Sequence, residues 1–122
     1  MVWRSLRAPF PIPQLVNSME KLEYHFSTPT IKPASGAVLC GVVGSGNLEV
    51  LVRPADTAAS CTIEIKTSAR GFGNIWQAVL AEFISHHAVG GTHIAINDMG
   101  ATPAVVTLRL GQAISQYAGG LR

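Results

Sequence analysis

From residue 22 the chain alternates. Leu22, Tyr24 and Phe26 are apolar while Glu23 and His25 are polar, the period of two that marks a strand with one buried face. Thr28-Pro29-Thr30 and Lys32-Pro33-Ala34-Ser35-Gly36 end that strand. Residues 37–43 form a second apolar run. A third spans 48–53, with Leu48, Val50 and Val52 on one side, Glu49 and Arg53 on the other, and Pro54 as its stop. After a loop rich in Ala, Asp, Thr and Ser, Ile63 and Ile65 alternate with Thr62, Glu64 and Lys66 between Cys61 and Thr67.

Beyond Gly71 and Gly73 the period lengthens to 3.6. Trp76, Val79, Leu80, Phe83 and Ile84 share one helical face, with Asn74 as the expected N-cap and Gly90-Gly91 closing the far end. A short strand follows from His93 to Asn97, and Asp98-Met99-Gly100 turns the chain. Thr102 followed by Pro103 is a helix start signal. Val106, Leu110, Ala113, Ile114 and Tyr117 then fall on one face. A strand reading competes there, since Val106, Leu108 and Leu110 also alternate with Thr107 and Arg109, and Gly111 costs a helix about 1 kcal/mol. The helix is the better fit to the whole segment. The order β-β-β-β-α-β-α predicts an α+β fold: a mostly antiparallel sheet of four to five strands with two helices packed on one face.

The second and third strands are joined by Gly44-Ser45-Gly46-Asn47, a tight-turn composition: glycine supplies positive φ and asparagine tolerates it. Ser45 is the one hydroxyl at that apex, and flanking glycines leave its Oγ open to solvent and to a bulky group. It is the candidate functional atom, with Gly44, Gly46 and Asn47 forming its turn.

The chain has 122 residues, enough for one domain with a single core. It is 48% hydrophobic and only 13% charged, which favours a surface partly covered by other subunits. Nine basic and seven acidic residues give a net charge of +2. Arg4 and Arg7 account for the excess, so no basic patch points to nucleic acid. No apolar run approaches the roughly 18 residues of a membrane span. Residues 1–18 hold three prolines, two arginines and no acid, and read as a disordered extension or an over-extended start. Met19 is then the alternative initiator and 19–122 the folded domain. An organellar address is a lesser alternative. Cys40 and Cys61 fit buried reduced thiols of a cytoplasmic protein, with a disulfide between neighbouring strands as the other option.

Other chemistry fits poorly. A nucleophile elbow needs Gly-x-Ser-x-Gly, but Val43 and Asn47 occupy the glycine positions. No Walker sequence is present. Gly71-Phe72-Gly73 lacks the third glycine of a dinucleotide loop and follows no evident parallel-sheet unit. His25, His86, His87 and His93 have no metal-site spacing and read as solvated or core-edge residues. No acid–base pair is poised for catalysis.

Three runs carry a resemblance. Val42-Val43-Gly44-Ser45-Gly46-Asn47-Leu48-Glu49-Val50-Leu51, Ile96-Asn97-Asp98-Met99-Gly100-Ala101-Thr102-Pro103 and Val105-Val106-Thr107-Leu108-Arg109-Leu110 resemble the acyl carrier (delta) subunits of biotin-independent malonate decarboxylases. The likeness spans roughly residues 19–118. It implies a non-catalytic carrier with Ser45 joined by a phosphodiester to 2'-(5''-phosphoribosyl)-3'-dephospho-CoA, whose thiol bears acetyl and malonyl. The implied partners are an acyl-carrier transferase subunit, malonyl-carrier decarboxylase subunits and a prosthetic-group transferase. Asn47 departs from the family's acidic residue, which keeps the shape and removes the charge. The citrate lyase carrier is a more distant match. An unmodified structural or regulatory subunit is the alternative from another class, and a small serine hydrolase is a remote third.

Overall fold

The computed structural model describes residues 19–31, 40–45, 47–56 and 58–119, with only the backbone for 40–45. Five strands, β1 (Glu20–Ser27), β2 (Cys40–Ser45), β3 (Leu48–Pro54), β4 (Ser60–Thr67) and β5 (Thr92–Asp98), form one sheet in the order β1-β4-β5-β3-β2. Helix α1 (Gly73–His86) joins β4 to β5, and α2 (Pro103–Tyr117) follows β5. This is the predicted α+β architecture.

Strand alternation decides which face the helices cover. Leu48, Val50 and Val52 of β3, Cys61, Ile63 and Ile65 of β4, and Ile94 and Ile96 of β5 are buried on one face. They pack with Trp76, Leu80 and Phe83 of α1 and with Val106, Leu110, Ala113, Ile114 and Tyr117 of α2. Each large side chain so buried contributes about 1.5–3 kcal/mol relative to exposure. The opposite face carries Glu23, His25, Glu64, Lys66, Asn97, Glu49 and Arg53. The helical face of α2 is the one its periodicity predicts, and Thr102 caps it, its Oγ1 accepting from the Val105 amide at 3.3 Å.

Four features depart from the sequence reading. β4 and β5 pair in parallel, with α1 as their crossover, so Gly71-Phe72-Gly73 does sit in a βαβ unit. The other three pairings are antiparallel. The α1 cap is Phe72, with no side-chain cap bond, and Asn74 lies one residue inside the helix. The last turn of α1 closes at His86, with an extended His87 after it, well before Gly90. β2 runs to Ser45, two residues beyond its predicted end. Its predicted beginning at 37–39, and the expectations for residues 1–18 and for the burial of Cys40, lie outside the described residues.

The topology also decides the cysteine alternatives. Cys40 on β2 and Cys61 on β4 have β3 and β5 between them. Three strand spacings of about 4.8 Å put their backbones roughly 14 Å apart, beyond the ~7 Å that a disulfide tolerates. Cys61 is a free, buried thiol whose Sγ lies 3.3 Å from Thr92 Oγ1.

Candidate functional site

Ser45 is the last residue of β2 and stands opposite Leu48, the first of β3; Gly44 stands opposite Glu49 and Val43 opposite Val50. Two residues, 46 and 47, therefore link the strands. Ser45 is at the strand end and not at the apex. Gly46 and the expected openness of the Ser45 hydroxyl lie outside the described residues. Asn47 is exposed. A register irregularity between Cys40 and Val43 precedes these last pairs, a position where bulges commonly bend edge strands.

The pairing of the whole sheet puts this end in a single row. Ser45 opposes Leu48, Leu48 opposes Asp98, Asp98 opposes Thr67 and Thr67 opposes Glu20. Two strand spacings place Asp98 about 10 Å from Ser45, backbone to backbone. The hairpin turn is tied to this row a second time, because the Met99 amide donates to the Asn47 carbonyl at 2.9 Å. Asn97 Nδ2 also donates to Glu49 Oε1 at 3.0 Å.

Asp98 organises the turn that leaves β5. Its buried carboxylate accepts from Thr67 Oγ1 at 2.7 Å, from the Ala101 amide at 2.8 Å and from the Gly100 amide at 3.2 Å. Its carbonyl accepts from the Ser68 amide at 3.0 Å. A buried carboxylate needs such donors, since leaving it unpaired costs several kcal/mol. Gly100 has a φ of +108°, with open space where a Cβ would stand, and Met99 is 59% exposed. Sequence reasoning reads Asp98 as a simple turn-former and misses its link to the hairpin. The signal was the second resembling run, Ile96 to Pro103, which the fold brings beside the first.

The histidines are occupied locally. His25 Nε2 lies 3.1 Å from Glu23 Oε2, His86 Nε2 2.9 Å from Glu82 Oε2, and His93 Nε2 3.4 Å from Glu64 Oε1. His87 stacks on Phe83 with ring centroids 4.1 Å apart. Among the described residues no group of three or more His, Cys, Asp or Glu is placed to hold a metal ion. No described helix is long and apolar enough to cross a membrane.

A small α+β domain that presents a serine-ended hairpin at one sheet edge, braced by the β5–α2 turn, is thus the class defined by fold and site. Residues 35–117 match the family model of the malonate decarboxylase delta subunit (MdcD), an acyl carrier protein, and the chain belongs to that family. It is 54% identical to the malonate decarboxylase acyl carrier protein of Acinetobacter calcoaceticus, over 83% of this chain and 99% of that one. The Burkholderia cepacia protein of the same name is 53% identical, over 82% and 92%. Among solved structures, a chain of a Pseudomonas malonate decarboxylase hetero-tetramer in complex with malonate superposes with a TM-score of 0.66 at 37% identity. The match covers 81% of this chain and 99% of that one.

Proposed function

We propose that the chain is the acyl carrier subunit of a malonate decarboxylase, and that Ser45 is the attachment point of a phosphoribosyl-dephospho-CoA group. The observation that carries this is the placement of Ser45. It ends an edge strand, beside a turn fixed to Met99, with open space at Gly100. Support also comes from relatives above 50% identity that bear the carrier's name.

When bound, the group supplies a thiol whose acetyl and malonyl thioesters stabilise the negative charge left as carbon dioxide departs. The chain's own part is mechanical. β2 and β3 hold the anchor, Asp98 and Met99 keep the turn from swinging, and Gly44, Gly46 and Asn47 leave it without bulk. The chain contributes no acid or base to the reaction. Acyl exchange and decarboxylation fall to an acyl-carrier transferase subunit and to malonyl-carrier decarboxylase subunits, and loading to a prosthetic-group transferase, all in the cytoplasm. Tethering raises the local thioester concentration at these partners to about millimolar order.

Intact-mass measurement of protein produced with its modifying enzymes should show one prosthetic-group adduct on Ser45, absent in Ser45→Ala. An unmodified Ser45 in a complex that still assembles would overturn the carrier role in favour of a structural subunit.

A further inference from the structure

An apolar cleft of about 280 Å³ opens between the start of α1 and the start of α2. Phe72, Ile75 and Trp76 wall one side, Ala101, Pro103 and Val106 the other, and Asp98 lies at its base. Phe72 and Ile75 remain 44% and 48% exposed, among the few large apolar side chains of the described residues left in water. Two flat rings and an apolar floor beside one carboxylate make a site suited to a neutral aromatic heterocycle, in the size range where small-molecule pockets begin.

The cleft lies within reach of the anchor. Asp98 belongs to the same cross-strand row as Ser45, two strands away, and Gly100 and Ala101 follow directly on the Met99 amide that holds Asn47. We propose that this cleft seats the adenine of the group tethered to Ser45, which rests on the attachment proposed above. A phosphodiester and two riboses, the added phosphoribosyl unit and the ribose that bears the base, separate the adenine from the serine oxygen, a link long enough to cross two strand spacings of about 4.8 Å. The acyl end suits the cleft less well. Malonyl brings a carboxylate toward that of Asp98, and a thioester held here would be withheld from the partner sites. Seating the base shortens the free arm to its diphosphate and pantetheine portion and gives it a fixed origin.

The test uses the full chain in a Trp3→Phe background, where Trp76 is the sole tryptophan. Loaded and unloaded protein are separated and verified by intact mass, then compared by Trp76 emission and by amide NMR. The expected result is loss of Trp76 emission on loading, with amide shifts at Phe72, Ile75, Trp76 and Ala101. Ile75→Glu, a surface change that also places an acid favourably at a helix N-terminus, should keep the adduct and abolish both signals. A verified adduct with unchanged cleft resonances would overturn the seat and leave the attachment standing. Resonances that move only when a partner subunit is added would likewise overturn the seat. Absence of any adduct would overturn both.

Discussion

The amide of Met99 donates to the carbonyl of Asn47 at 2.9 Å, so the turn of the β2–β3 hairpin and the turn leaving β5 hold each other. Fifty-two positions apart in sequence, these two residues meet because β5 inserts between β4 and β3 and ends level with the hairpin. The bond braces a hairpin at the sheet edge, where among the described residues β2 has β3 as its only strand neighbour.

Asp98 is the keystone of that contact. Replacing it with alanine strips acceptors from Thr67 Oγ1 and from the Gly100 and Ala101 amides. Hydrogen bonds to a charged acceptor contribute about 1.5–3 kcal/mol each in favourable cases and are not additive. Asp98→Ala should therefore lose about 3 kcal/mol by urea denaturation. Asp98→Asn, which keeps one carbonyl acceptor, should lose less. Amide exchange at Met99 should accelerate in both. A change in stability below about 0.5 kcal/mol for the alanine variant would refute the bracing role.

Two glycines should respond in opposite directions. A Cβ on Gly90 would clash with the Thr28 carbonyl oxygen and meet that of Pro29 at 2.9 Å, both backbone atoms, and the Pro29 carbonyl already accepts from the Gly90 amide. Gly90→Ala should cost about 2–3 kcal/mol as an overpacked site. Gly111 in α2 has nothing within 4 Å of its would-be Cβ, and Gly111→Ala should stabilise by about 0.5–1 kcal/mol. Thermal melts of the two variants shifting the same way would contradict this.

Stability should fall on the alkaline side. Burial pushes the Cys61 thiol above its ordinary 9.0, against a weaker opposing hydrogen bond from Thr92. Burial, and next the nearby Glu20 carboxylate, push Tyr24 above 10.0. Both groups hold their protons more tightly when folded. Their contribution is complete below the unfolded values and is lost as pH rises through the folded ones. The melting temperature should be insensitive to these groups up to about pH 8.5 and decline above pH 9, less steeply in Cys61→Ala. In a Cys40→Ser protein, Cys61 should resist alkylation at pH 8 until urea unfolds the chain.

The helix caps provide a fourth test. Thr102→Ala removes the acceptor of the Val105 amide and should cost about 1 kcal/mol. Asn74 is exposed inside α1 and caps nothing. Asn74→Ala should leave urea stability unchanged or slightly higher, by about 0.5 kcal/mol at most.

Local periodicity made most of the fold legible. Val106, Leu110, Ala113, Ile114 and Tyr117 are buried as their spacing requires, and Thr102-Pro103 begins α2 where the cap signal stands. The strands of 48–53 and 61–67 differ from their observed bounds by one residue. What the pattern does not encode is adjacency. Nothing in Cys61–Thr67 or His93–Asn97 says that they pair in parallel, because pairing partners are chosen by the assembled core and by the crossover of α1. The same limit hid the site. Ser45 and Asn47 stand out by composition, whereas Asp98 and Met99 acquire their roles only once β5 lies beside β3. The α1 cap escapes the sequence for a different reason. Asn74 has the right chemistry, but the backbone has already turned helical at Gly73, leaving Phe72 in the cap position.

Consider finally what guards the position of the serine. Shifting β3 by one residue against β5 would turn Leu48, Val50 and Val52 outward together. At about 1.5–3 kcal/mol per side chain, such a slip forfeits more than about 4 kcal/mol, a penalty no two-residue loop imposes alone. The mounting point of the tether is thus indexed by the oily interior several strands deep, so point changes in the loop itself can alter its chemistry without relocating it.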